Sequence, residues 1–104
     1  MVEYRVEGSE AAENDLRGIA RYISTQLDAP MTAMKMMDAI EDAVNSLEDI
    51  PQRCPLVADE RLADMGYRKL MVKNYFVFYS IDEKNKVVDI ERILYARRDW
   101  RRLL

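Results

Sequence analysis

The stretch GYRKLMVKNYFVFYSID, Gly66 to Asp82, holds two apolar runs that meet at Lys73-Asn74. Runs rich in aromatic and β-branched residues, separated by two turn-forming residues, predict a hairpin with strands over 67–72 and 75–81. Asp82-Glu83-Lys84-Asn85-Lys86 is a longer turn, and a further strand follows over 87–94. In that strand Val88 and Ile90 share one parity while Ile93 and Tyr95 have the other. A bulge near Glu91-Arg92 reconciles them, and bulges often re-aim side chains beside sites. The hairpin also carries Tyr67, Arg68, Lys69, Tyr75 and Tyr79, more polar groups than a purely buried hairpin needs. They are candidates for a working face.

Upstream, Val2, Tyr4 and Val6 alternate and read as a first strand, around Glu3-Tyr4-Arg5-Val6. Ser9 can cap the helix that follows. Ala12, Leu16, Ile19, Ala20, Ile23 and Leu27 fall on one helical face. Gly18 weakens this helix by about 1 kcal/mol relative to Ala. Asp28-Ala29-Pro30 breaks the pattern, and Pro30 suits the first turn of a second helix. Ala33, Met37, Ile40, Val44 and Leu47 repeat the stripe until Pro51 ends it. Met34 and Met36 are candidates for an outward, interface-forming position. The short break predicts an antiparallel helical hairpin. Gln52 to Met65 shows no steady period and reads as a crossing loop with one helical turn around Glu60–Met65. Asp99 to Leu104 can form a final short helix.

The order is βααβββ, an α+β fold spanning 1–104 as one domain. The helical hairpin should cover one face of a small, mostly antiparallel sheet. The first strand should pair with the last, both central. The other face is then open or covered by a partner, with Tyr67, Tyr75, Tyr79, Arg68 and Lys69 available to populate it.

Composition narrows the function classes. No run reaches the roughly 18 apolar residues of a membrane helix. Glu3, Glu7 and Glu10 stand where a secretory signal would be basic. One cysteine, Cys54, builds no internal disulfide framework and fits a reducing cytoplasm. With no histidine and that one cysteine, a zinc site is nearly excluded, and so is the usual general base near neutral pH. No cofactor is expected. The net charge of -3 hides an asymmetry. Residues 1–60 hold five Arg/Lys against thirteen Asp/Glu, and residues 61–104 hold eleven against six. A basic second half can hold phosphate or an acidic partner peptide; a solvated, mixed surface accounts for it equally simply.

The element order and these residues resemble the RelE/ParE family of toxins from bacterial type II toxin–antitoxin pairs. The matching pieces are Ala12, Asp15-Leu16 and Ile19–Tyr22-Ile23 in the first helix, and Leu47 and Pro51 at the close of the second. Tyr67-Arg68-Lys69-Leu70, Val72, Asn74-Tyr75 and Val77-Phe78-Tyr79 match the hairpin. Ile90–Ile93 and Ala96-Arg97-Arg98-Asp99 match the end. The resemblance spans nearly the whole chain and implies a cytoplasmic toxin neutralised by a small antitoxin whose disordered tail wraps it.

RelE-like members cut messenger RNA in the ribosomal A site by attack of a 2′-hydroxyl on the adjacent phosphate. ParE-like members poison DNA gyrase and are not nucleases. Cutting asks for a proton acceptor, cations around the phosphoryl oxygens and a proton donor to the leaving oxygen. The resemblance implies Arg68 as the phosphate-holding arginine; a surface ion pair with Asp64 or Asp82 is its plain alternative. Tyr95 stands where many members carry histidine and can donate a proton or sit as an aromatic rim. Glu60 is the candidate base. Lys69, Lys73, Arg97 and Arg98 are candidate phosphate or target contacts, although Asp99 can pair with the two arginines instead. Where some cutters place glutamate before a Pro-Leu step, this chain has Cys54 before Pro55-Leu56, and the crossing loop is acidic at Asp59, Glu60 and Asp64. Metal-independent, ribosome-dependent mRNA cleavage is placed first, gyrase inhibition second, and a non-toxic protein-binding domain third.

Overall fold

The computed structural model describes residues 3–104. Strand β1 is Arg5–Gly8, α1 Glu10–Arg21, α2 Pro30–Asn45, α3 Glu60–Asp64, β2 Arg68–Val72, β3 Tyr75–Asp82 and β4 Val87–Tyr95. A 3-10 turn at Trp100–Arg102 stands where a terminal helix was expected. The first strand begins at Arg5 rather than Glu3, and Val2 lies outside the described residues.

The sheet order is β1-β4-β3-β2. β1 does pair with the last strand, but in parallel and at the edge of the sheet, not in its centre. The crossover through two helices brings β1 and β4 side by side with the same direction, and β3 already holds the other side of β4. Beyond Gly8, α1 takes over the edge of β4. The Ser9 hydroxyl accepts from Ala12 N at 3.0 Å as the helix cap and donates to Glu91 O at 2.9 Å. Nearly two turns on, Asp15 accepts from Ile93 N at 2.9 Å. Side chains thus continue a ladder that the strand leaves off.

The bulge is present. Phe78 opposes Arg92 and Tyr79 opposes Ile90, which leaves Glu91 as the extra residue. Val88, Ile90 and Ile93 therefore all enter one core with Tyr79, Val77, Ile40 and Leu47, beneath the two helices. Tyr79 is fully buried, and its hydroxyl donates to Pro51 O at 2.6 Å.

The opposite face is not open. Phe78 and Leu94 are buried there under Val57 and Leu62 from the crossing segment, with Trp100, Leu103 and Leu104 from the tail packed alongside. The crossing segment is held by backbone pairing to the start of β2: Leu56 bridges Arg68, and Val57 N donates to Tyr67 O at 3.0 Å. This pairing also covers part of an exposed edge. Three of the residues available for that face lie elsewhere. Register pairs Arg68 with Tyr79 and Val72 with Tyr75, so Arg68, Tyr75 and Tyr79 point to the helical side. Lys69 does lie on the outer face, its ammonium 4.4 Å from the Phe76 ring centroid and 5.4 Å from that of Trp100.

At the mouth of the long turn, Glu83 accepts from the Tyr4 hydroxyl at 2.6 Å and from Gln52 Nε2 at 2.9 Å. The Tyr4 bond first, and then Gln52, hold the Glu83 carboxyl below the usual range. A depressed carboxyl stabilises the fold above its unfolded pKa, near 4.3, and that contribution fades as pH falls through the lower folded value. Glu83→Gln should therefore separate most from the wild type in thermal midpoint at neutral pH, and the gap should narrow below about pH 4. A gap independent of pH would show that the bonds act without the charge.

Candidate functional site

The first helix does not end where its pattern does. After Arg21 the backbone widens into a π-helical turn, Tyr22–Gln26, closed by Leu27 N donating to Tyr22 O at 3.3 Å. The wider turn rotates Leu27 off the core stripe, so that it is 56% exposed rather than buried as its spacing predicts. Tyr22 stands out beside it at 54%. Asp28 then reverses the chain at φ 50°, a left-handed conformation that Asp tolerates.

Across from this turn lies the closed end of the hairpin. Lys73, at φ 56°, and Asn74 make the two-residue loop, and Tyr75 opposes Tyr95 with ring centroids 5.7 Å apart in an edge-to-face contact. Between the π-helical turn, α2 and these tyrosines is a cleft of about 690 Å³. Burial, and then the neighbouring Tyr95 and Tyr22, push the Tyr75 hydroxyl above its ordinary pKa, so it is neutral and a donor at physiological pH. Arg98 reaches the rim.

The expected catalytic groups lie apart. Arg68 opposes Tyr79, whereas Tyr95 opposes Tyr75, on the far side of β3 and four residues along it. At strand spacing this separates their Cα atoms by roughly 15 Å. Arg68 makes neither the Asp64 nor the Asp82 ion pair. Its Nη1 donates to Cys54 O at 2.6 Å and Gln52 O at 3.2 Å. Two cross-strand neighbours, Arg68 and Tyr79, thus hold the carbonyls of residues 51, 52 and 54, where the crossing segment begins. Ile50 just before it takes φ 49°, which costs a β-branched residue on the order of 1–3 kcal/mol. The Arg53 guanidinium bonds the Ser46 and Asp49 carbonyls on the other side of Ile50.

Glu60 is exposed in the first turn of α3, beside Asp59, whose carboxylate caps that helix through Leu62 N at 3.1 Å. Asp59 also faces Arg101 at 3.6 Å. Lys73 is exposed on its turn, and Arg97 and Arg98 are exposed beyond β4. Among the described residues Asp99 forms no ion pair with either arginine. Met34 is exposed as its spacing allows, while Met36 is half-buried toward the cleft.

Asp15 and Arg92 were not singled out together in the sequence. Asp15 accepts from Arg92 Nε at 2.8 Å and Nη2 at 2.9 Å, and Arg92 Nη1 donates to Leu103 O at 3.1 Å. The Asp15 bonds raise the Arg92 pKa above its ordinary value against the opposing effect of burial. The signal that could have found the pair is an acid on the inner side of α1 with no partner in its own helix.

Residues 6–100 match the family described as the ParE toxin of the type II toxin–antitoxin system, parDE. The match covers most of the chain, and the chain belongs to this family, within the RelE/ParE group of toxins. No curated protein matches the chain. Solved structures similar to it include the chromosomal ParDE system of P. aeruginosa, with 18% identity, TM-score 0.77, and coverage of 93% of this chain and 100% of that one. The RelBE2 toxin–antitoxin complex of Mycobacterium tuberculosis is similar at 23% identity and TM-score 0.64, covering 91% and 93% of the two chains. A mutant of the E. coli toxin RelE in the free state is similar at 14% identity and TM-score 0.62, covering 98% and 99%. At these identities the structures show the shared fold.

Proposed function

We propose that this toxin poisons DNA gyrase in the manner of the ParE-like branch and does not itself cut messenger RNA. This reverses the order in which the sequence placed the two targets. The observation that carries the reading is the scatter of the groups that cutting would need. Arg68 spends one guanidinium nitrogen on loop carbonyls, and the Tyr95 Cα lies roughly 15 Å from the Arg68 Cα. Transfer of a phosphoryl group needs its acid, base and cations around one phosphate, within hydrogen-bond reach. The family match to ParE toxins supports the same branch.

The similar structures of ParDE and RelBE2 systems support a cognate antitoxin for this chain as well. Its acidic tail would meet the excess of Arg and Lys in the second half. A small acidic protein encoded beside the toxin should copurify with it on co-expression.

The target is tested with purified protein in two assays. Wild type should trap gyrase–DNA cleavage complexes and leave ribosome-bound messages intact. Arg68→Ala should cost about 1–3 kcal/mol in unfolding free energy, because the Cys54 and Gln52 carbonyls lose their donor. Once folded, the variant should still trap gyrase. Message breaks made by the wild type and absent from Arg68→Ala would restore the nuclease reading.

A further inference from the structure

We propose that the uncovered end of β2 takes one more strand, supplied by the antitoxin tail. The segment is extended, sets an apolar side chain beside Met71 and carries a carboxylate close to it, within reach of Lys73. The proposal rests on the antitoxin reading and names the surface through which that partner binds.

Backbone alternation along β2 shows which groups face outward. Tyr67 O accepts from Val57 N at 3.0 Å and Lys69 N donates to Pro55 O at 3.4 Å, so the odd-numbered residues turn their N–H and C=O away from β3. The cover stops there for a chemical reason. Leu56 bridges Arg68 in antiparallel register, which sets Pro55 opposite Lys69, and a proline nitrogen has no hydrogen to donate in return. Met71 is the next residue to face outward. Among the described residues neither its N–H nor its C=O has a partner, and its side chain is 60% exposed. Across the hairpin it opposes Phe76, which is half-buried, so an apolar side chain on an added strand extends an existing cross-strand row. An edge in this state is a template for another strand.

Charge selects the occupant. Residues 66–74 hold Arg68, Lys69 and Lys73 and no acid. Arg68 donates to loop carbonyls, and among the described residues Lys69 and Lys73 form no ion pair. Asp64 and Asp82 stand at the other end of the hairpin, where β2 is covered. Asp28 and Asp99 are exposed toward the closed end, against Lys73, Arg97 and Arg98. A second copy of the chain is disfavoured, because a two-fold pairing about Met71 sets Lys69 of each copy against Lys73 of the other. The other edge, β1, has the opposite character. Tyr4 N already donates to Glu48 O at 2.9 Å, Glu7 lies on the strand, and the cavity beside it is lined by Glu13 and Glu41. An acidic segment is therefore directed to β2. A disordered tail keeps its backbone groups unpaired with protein until it binds, and strand addition pairs them; a folded enzyme presents most of its backbone already paired.

The test uses the full chain and the small acidic protein encoded beside it. On binding, the Met71 amide should exchange with solvent at least about tenfold more slowly than in the toxin alone, as for a newly formed backbone hydrogen bond. Met71→Pro removes that donor, and an outward-facing edge position tolerates proline, so the fold should be kept. Lys73→Glu reverses the charge at an exposed position. Each variant should bind the acidic protein at least about tenfold more weakly than the wild type. If Met71→Pro does not fold, Lys73→Glu and the exchange measurement decide. A Met71 amide that exchanges as fast in the complex as in the toxin alone, or folded variants that bind as tightly as the wild type, overturn the site and leave the antitoxin reading intact. Slowed exchange in the toxin alone that grows with its concentration assigns the edge to a second copy and overturns the occupant. A wild type that binds no such neighbour overturns the antitoxin reading, and this occupant with it.

Discussion

Phe78→Ala is expected to lower the unfolding free energy by roughly 3–5 kcal/mol, as for a large-to-small change in a packed core. Phe78 has no exposed surface, and its ring lies 5.3 Å from that of Trp100 and 5.9 Å from that of Phe76. Leu62 and Leu94 complete the surroundings and are themselves buried. The cavity cannot close easily, because two of its walls belong to the sheet. At about 4–8 °C per kcal/mol for a domain of about this length, the midpoint should fall by more than about 10 °C. Trp100→Ala should cost less, since Trp100 is only half-buried. The prediction separates two pictures of the molecule. If the outer face were open, Phe78 would be a surface residue and truncation would be nearly neutral. A loss below about 1 kcal/mol in urea unfolding would mean that the tail and crossing segment do not pack on the sheet.

That covered face marks where the sequence stops being legible. The helices, the hairpin turn at Lys73-Asn74, the bulge and the order βααβββ follow from periodicity and turn chemistry, which are local. The cover of the outer face is not local. Val57, Leu62, Trp100, Leu103 and Leu104 have no shared period and come from two separated segments. They are placed by backbone pairing of residues 55–57 with β2 and by Arg92 holding Leu103, neither of which leaves a pattern in the chain. The edge position of β1 is hidden for a related reason. Four residues of alternation say that a strand exists but not how many neighbours it has. At the candidate site, Arg68 and Tyr95 are conspicuous as residue types, yet their separation depends on register. The partners of Arg68 are carbonyls, which every residue carries. Tyr22 and Leu27 became a surface through a π-helical turn, where the ideal helical spacing used to read the sequence no longer holds.

Asp15→Ala should destabilise by roughly 2–4 kcal/mol, slightly less than for a fully buried ion pair because Arg92 keeps about a quarter of its side chain exposed. The Asp15 carboxylate takes three bonds, two from the Arg92 guanidinium and one from Ile93 N. Removing it strands a cation and a backbone donor at the point where α1 replaces β1 along β4. Arg92 would remain bonded to Leu103 O, so the tail should keep one of its ties. Asp15→Asn distinguishes charge from shape. Its amide oxygen can still accept from Ile93 N, but its NH₂ group turns a donor toward guanidinium donors. It should therefore recover only a small part of the loss. Replacing both partners with apolar residues, as Asp15→Leu with Arg92→Met, should recover more than either single change, because no unpaired charge is left. Equilibrium urea unfolding of the wild type, Asp15→Leu, Arg92→Met and the double variant closes the cycle. A double variant no better than Asp15→Ala would show that the Ile93 N–H, which no apolar side chain can satisfy, sets the cost, and that the ion pair itself contributes little.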